Sequence, residues 1–95
     1  MKPGFEWDEK KAKANLKKHK VGFEEATTIF DDPLMITFPD TQHSDEEDRF
    51  IGIGKTDKGK VLVVVHLDKE KTIRLISCRK ATASERRRYE ESKNK

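Results

Sequence analysis

The stretch Lys60–Thr82, KVLVVVHLDKEKTIRLISCRKAT, constrains this chain more than any other. Val61–Leu67 is β-branched and aliphatic, Asp68–Lys71 is a charged turn, and Thr72–Cys78 is a second β-rich run, so the segment predicts a hairpin. Polar groups at His66, Arg74, Ser77 and Arg79 interrupt the apolar runs, and chemistry is sought there first.

Ninety-five residues make one domain, 1–95, with a single modest core. The chain is 41% charged and 33% hydrophobic, so that core must come from a few concentrated segments. Clustered, periodic apolar residues argue against disorder. Asp45–Asp48 is an acidic block, whereas Lys69–Arg88 carries eight Lys/Arg against two Glu. A basic C-terminal third points to a polyanion, to an acidic protein partner, or to nothing more than a solvated face. Cys78 is the only cysteine, which excludes an intrachain disulfide and a thiolate metal cluster and fits a reducing cytosol. No apolar run approaches the ~18 residues of a membrane span, and Met1-Lys2-Pro3 does not open a signal peptide; a soluble, cytoplasmic protein is expected.

From the start, Phe5-Glu6-Trp7 alternates as a short strand or extended lead-in. Asp8 caps a first helix over Asp8–His19, with Ala12, Asn15, Leu16 and His19 on one face. Val21-Gly22 breaks it, and Phe23–Phe30 predicts a second helix that Asp31-Asp32-Pro33 stops. Leu34–Phe38 is a strand candidate, Asp40–Asp48 an exposed acidic loop, and Arg49–Lys55 a strand with glycines at 52 and 54. Thr82-Ala83-Ser84-Glu85 matches a capping box that opens a last helix, Ala83 to about Ser92. The expected class is α+β: two N-terminal helices packed on a three- to four-stranded antiparallel sheet, plus a C-terminal helix.

Tight closure of the hairpin at Lys69-Glu70 pairs His66 with Ile73, Val64 with Leu75, Leu62 with Ser77 and Lys60 with Arg79. Closure of the preceding hairpin at Thr56–Gly59 pairs Lys55 with Lys60 and Arg49 with His66. Phe50, Gly52, Gly54, Val61, Val63, Val65, Ile76 and Cys78 then form the core face, with Arg74 among them. The other face shows Ile51, Ile53, Leu62, Val64, Ile73 and Leu75. Arg49 and His66 flank it at one end; Lys55, Lys60, Ser77 and Arg79 flank it at the other. Cations converging on such a face suit phosphate; read otherwise, they are edge charges that discourage aggregation. A one-residue slip would redistribute them.

His66 is either a proton-transfer group or a core histidine, and His19 is structural. The spacing of His43, Asp40, Asp45 and Glu46 matches no metal-ligand pattern. Neither metal nor cofactor is expected. Arg86 pairs with Glu90 on a surface helix, and Tyr89 either stacks on a base or docks on the sheet.

Three segments together resemble the BrnT family of RelE-like ribonuclease toxins from bacterial toxin–antitoxin pairs. They are FEWDEKKAKANLKKHKVGFEEATTIFDDP (Phe5–Pro33), DRFIGIG (Asp48–Gly54) and RLISCRKATASERRRYE (Arg74–Glu90). Lys20 stands where that family usually has glycine, and Cys78 where it often has alanine. The resemblance implies a RelE-like fold, RNA cleavage that arrests translation, and neutralisation by a BrnA-like antitoxin in a hetero-oligomer. Contact with DNA would come only through the antitoxin. It also implies catalytic roles for Arg74, Ser77 and Arg79, and less directly for Arg49 and His66; Lys60 is added from the register. The expected chemistry is metal-independent attack of the RNA 2′-hydroxyl on the adjacent phosphate. Arg79 and Lys60 would stabilise charge, His66 would move a proton and Arg49 would orient the backbone, with Lys55, Arg86 and Tyr89 as further RNA contacts. The alternative is a non-catalytic module that binds nucleic acid or an antitoxin.

Overall fold

The computed structural model describes residues 4–42 and 48–92. In chain order the elements are β1 (Gly4–Glu6), α1 (Glu9–His19), α2 (Phe23–Thr27), a 3-10 turn (Thr28–Asp31), β2 (Ile36–Pro39), β3 (Arg49–Lys55), β4 (Val61–Asp68), β5 (Thr72–Lys80) and α3 (Ala83–Ser92). The α+β class holds. The sheet is larger than the three or four antiparallel strands expected, with five strands in the order β1-β5-β4-β3-β2. It is also mixed, because β1 lies parallel to β5, with Phe5 opposite Ile73 and Glu6 opposite Arg74.

Local chemistry sets the helix boundaries. Asp8 accepts hydrogen bonds from the backbone N–H of Lys10 (2.8 Å) and Lys11 (3.3 Å), capping α1. Lys20 ends it in the left-handed region at φ 61°, the conformation for which glycine is the usual choice. Thr82 and Glu85 close the capping box of α3: the Glu85 N–H donates to Thr82 Oγ1 (3.2 Å), and the Thr82 N–H to Glu85 Oε1 (2.9 Å).

Both expected hairpin registers need correction. Lys55 pairs with Val61 rather than Lys60, so Phe50, not Arg49, lies opposite His66. Thr56 causes this: its hydroxyl accepts the N–H of Lys58 and of Lys60, drawing Lys60 into a turn that Gly59 completes at φ +83°. In the second hairpin Lys69 and Thr72 exchange backbone hydrogen bonds, moving the turn one residue along to Glu70-Lys71. A bulge then leaves Ile76 without an opposite residue, since Val65 faces Ser77 and His66 faces Leu75.

These shifts redistribute the faces. Leu62, Val64, Ile73, Leu75 and Cys78 pack under Val21, Phe23, Ala26 and Ile29, and this is the main core. Burying each large aliphatic side chain there contributes about 1.5–3 kcal/mol. Gly54 admits the 3-10 turn, because a Cβ there would stand 3.0 Å from that of Ile29. Val61 and Val63, expected in this core, belong to the opposite face, where they pack with Ile53 beneath Tyr89 of α3. Leu16, expected on the inner stripe of α1, is 52% exposed; Asn15 is the residue that α1 buries. The α1–α2 pair and α3 therefore lie on opposite sides of one sheet.

Candidate active site

Helix α3 covers only one end of its face. The uncovered end displays Arg49, Ile51, Val65, Arg74 and Ser77, with Leu67 buried between the two arginines. Arg49, Leu67 and Arg74 are mutual partners across three neighbouring strands, so the two arginine α-carbons lie about two strand spacings, ~10 Å, apart. Ser77 stands one row further along, opposite Val65, and Arg79 follows opposite Val63 at the margin of α3. The bulge at Ile76 is what turns Arg74 out of the core, where simple alternation had put it, onto the same face as Ser77 and Arg79.

Each of these arginines has a carboxylate at its side, supplied by a different element. Arg74 Nη1 donates to Glu6 Oε2 of β1 at 2.7 Å. That hydrogen bond, with Lys69 nearby, holds the Glu6 carboxyl below its ordinary range. Arg79 grips Glu85 of α3 with both terminal nitrogens, at 2.7 and 2.8 Å. The Glu85 pKa falls to about 2, chiefly through that hydrogen bond, and the Arg79 pKa rises for the same reason. Arg49 Nε lies 3.7 Å from Asp40, just beyond β2. The Arg74 and Arg79 pairs are partly exposed and contribute little stability, so their main effect is to hold those two guanidiniums in place. Asp40 is buried, and Arg49 Nε has no hydrogen-bond partner among the described residues. Arg79 keeps its side edge, Nε–H with the second Nη2–H, for another anion, and its side chain is 41% exposed.

The remaining candidates lie elsewhere. His66 is on the covered face, 1% exposed, with Phe30 edge-on and Phe50 stacked against it. Its Nδ1 is 2.6 Å from Asp68 Oδ1, and Nε2 has no hydrogen-bond partner among the described residues. Burial lowers the His66 pKa despite the opposing pull of Asp68, leaving a neutral ring that cannot reach a substrate on the open face. Lys60 lies beside α2, its Nζ 3.8 Å from Glu25, and so is on the opposite side of the sheet from Arg79. The expected partnership of Arg79 and Lys60 over one phosphate is thereby overturned. Tyr89 is 2% exposed and donates to Asp32 Oδ2 at 2.6 Å; it docks α3 and offers no ring face to a base. Lys55 stands at the α3-covered end, its backbone N–H bonded to Asp32 (2.9 Å). Arg86 is exposed on α3 in a shallow depression with Ala81, Ala83, Arg87, Glu90 and Glu91.

The three bracing acids were missed. Only Glu85 carried a signal, its place in the capping box, and that signal spoke of helix initiation. Among the described residues no three His, Cys, Asp or Glu side chains are grouped to hold a metal ion, and no helix is long and apolar enough to cross a membrane. His43, Asp45 and Glu46 lie outside the described residues.

A family model described as the ribonuclease toxin BrnT of type II toxin–antitoxin systems matches residues 7–85. Among solved structures, the 1.1 Å crystal structure of the Brucella abortus ribonuclease toxin BrnT superposes with a TM-score of 0.65 at 23% identity, covering 84% of this chain and 97% of that one. No curated protein sequence matches.

Proposed function

The chain belongs to the BrnT family of ribonuclease toxins of type II toxin–antitoxin systems, and from that premise we propose that it is a metal-independent endoribonuclease whose active site is the open sheet face. One observation carries the proposal. Arg49, Arg74 and Arg79, with Ser77 among them, share a face that α3 leaves half uncovered, Arg74 and Arg79 hydrogen-bonded to their own acids and Arg49 lying 3.7 Å from Asp40. Forked donors fixed on a semi-apolar floor suit the dianionic, five-coordinate phosphorus that forms when the RNA 2′-oxygen attacks its own phosphate. The P–O5′ bond breaks as the new P–O2′ bond forms, giving a cyclic phosphate and a 5′-hydroxyl. The 2′-hydroxyl proton leaves to water and the departing O5′ takes one from water, because their arginine bonds make Glu6 and Glu85 weak bases with no proton to give, and His66 is beneath the other face. Arg79 bridges nonbridging oxygens with its side edge, Arg74 and Arg49 hold the flanking backbone, and Ser77 Oγ orients the sugar edge. The helix pair behind the sheet and the cationic face in front support a RelE-like description of the fold.

Type II systems pair a toxin with a protein antitoxin, and we assign a BrnA-like partner in a hetero-oligomer that covers the arginines and supplies any contact with operator DNA. Both proteins would act in the cytoplasm, where translated RNA is found. The test uses antitoxin-free protein and end-labelled RNA in EDTA. Cutting in EDTA, lost in Arg79→Ala protein that remains folded, supports the mechanism; dependence on a divalent metal, or full activity in the variant, contradicts it.

The lack of a free described acid or base on this face favours one second reading, a module that holds RNA without cutting it. Labelled RNA left intact at saturating protein, with affinity falling steeply as salt rises, would establish that reading instead.

A further inference from the structure

At the margin of the open face, Arg88 of α3 lies over Phe38 of β2, its guanidinium carbon 4.3 Å from the ring centre. Phe38 is half-buried on an edge strand and Arg88 is exposed. Among the described residues Arg88 has no ion-pair partner, unlike Arg49, Arg74 and Arg79. One face of its guanidinium rests on the ring, and the other is open to a second flat π-system. Beside this pair runs a groove of about 420 Å³ lined by Ile36, Thr37, Phe38, Arg88, Glu91 and Ser92. Its lining combines an apolar floor of Ile36 and Phe38 with the hydroxyl-bearing Ser92 and the carboxylate-bearing Glu91 of α3, the mixture that orients a small flat ligand. Arg88, Glu91 and Ser92 follow i, i+3, i+4 spacing and so share one side of α3.

The groove is also well placed for RNA. Phe38 lies opposite Ile51, which makes Arg49 its diagonal neighbour on β3, about 7–8 Å away along the same face. A nucleotide whose phosphate sits at Arg49 can lay its base toward Phe38. Packing of α3 alone would account for the contact between Arg88 and Phe38. It does not account for a mixed polar and apolar groove whose floor residue Phe38 is the diagonal neighbour of Arg49.

We propose that this groove is a nucleobase subsite, in which the base beside the phosphate held by Arg49 stacks on the Arg88–Phe38 pair and Glu91 selects guanine. Guanine offers two adjacent N–H donors on its pairing edge, and a carboxylate offers two matched acceptors. Adenine, cytosine and uracil do not present that pair of donors. The subsite rests on the open face binding RNA, and it names which base that RNA presents there.

The experiment titrates the isotope-labelled full chain with 5′-GMP, 5′-AMP and ribose 5-phosphate, following backbone amide signals, with RNA cleavage measured in parallel. GMP should move the signals of Thr37, Phe38 and the last turn of α3, whereas ribose 5-phosphate should move only those near Arg49. Arg88→Ala, at an exposed position, should weaken GMP about tenfold, within the range of base stacking on aromatic platforms. Phe38→Ala should do the same, and Glu91→Gln should abolish the preference for GMP over AMP. Identical shifts from GMP and ribose 5-phosphate, or unchanged GMP affinity in Arg88→Ala, would overturn the subsite even if the protein cuts RNA. Groove signals that move with GMP in a protein that never cuts RNA would uphold the subsite and remove the nuclease reading.

Discussion

On the face beneath α1 and α2, polar side chains are buried and bound to the chain itself. Asn15 is 7% exposed; its amide donates to Cys78 O (2.8 Å) and Val21 O (3.2 Å), and its oxygen accepts the Cys78 N–H (3.0 Å). On the face that α3 half-covers, the polar groups are arginines held from the side, with donors left over. The difference separates two roles for a polar residue on one small sheet. Where every hydrogen-bonding site is already satisfied the residue specifies the fold; where a cation is positioned but not consumed it can act on a ligand. His66 shares the burial of the first group, with Nδ1 bound to Asp68 but Nε2 without a partner among the described residues, and so takes the core-histidine reading of the two that the sequence left open.

The largest expected effect is on the open face. Arg49→Ala and Arg74→Ala should each lower the cleavage rate about 10²–10³-fold, the range for removing one charge-stabilising donor. The melting temperature of Arg74→Ala should move little, since a partly exposed pair such as Arg74–Glu6 contributes about 0–1 kcal/mol. Arg49→Ala, beside the buried Asp40, should lower it further. Unchanged cleavage rates in both would erase the contrast between the faces.

Asn15→Ala should do the reverse. It strands the backbone N–H and C=O of Cys78 in the core, at a cost of about 3 kcal/mol, and the midpoint should fall by roughly 15 °C. Specific activity of the folded fraction should be unchanged in a titration corrected for unfolded protein. A Cys78 thiol already raised to about 11 by burial is inert in either protein.

Glu85→Ala tests a residue that serves both helix and site. Loss of the cap and of the Arg79 pair should cost about 1 kcal/mol. Because Glu85 titrates at about 2 in the fold and near the ordinary carboxylate value when unfolded, its contribution is full above about pH 4.5. That contribution disappears as pH falls toward 2, and acid titrations of stability should be flatter for the variant over that interval. Cleavage should also slow, because the Arg79 fork is no longer held.

The smallest effect concerns His66. Its folded pKa lies below its unfolded value, so the unfolded chain takes up the proton first as pH drops. Stability should be full above about pH 6.5 and decline below it, and His66→Leu should flatten that slope. An unaltered pH–rate profile in this variant would confirm that the ring plays no part in proton transfer; a profile that loses a limb near pH 6 would move His66 back to the site.

The caps and strands were legible because their causes are local. Asp8, Thr82 and Glu85 act within three residues of themselves, and Arg49–Lys55 reads as a strand from its own pattern. The faces were not legible, because two single residues decide them. Thr56 draws Lys60 out of β4, and the unpaired Ile76 reverses the alternation between Arg74 and Ser77. Neither event leaves a mark in hydrophobic periodicity, and a one-residue slip exchanges every side chain between faces. The parallel pairing of β1 with β5 joins segments more than sixty residues apart, so Glu6 beside Arg74 was beyond local inference.

The most direct measurement compares cleavage of one labelled RNA, in EDTA, by two double variants: Arg49→Ala with Arg74→Ala on the open face, and Lys60→Ala with His66→Leu behind it. The geometry predicts a loss of at least about 100-fold for the first pair and a rate near wild type, per folded molecule, for the second. Normal cleavage by the first pair together with collapse in the second would place the chemistry under α1 and α2, and contradict the assignment of catalysis to the open face.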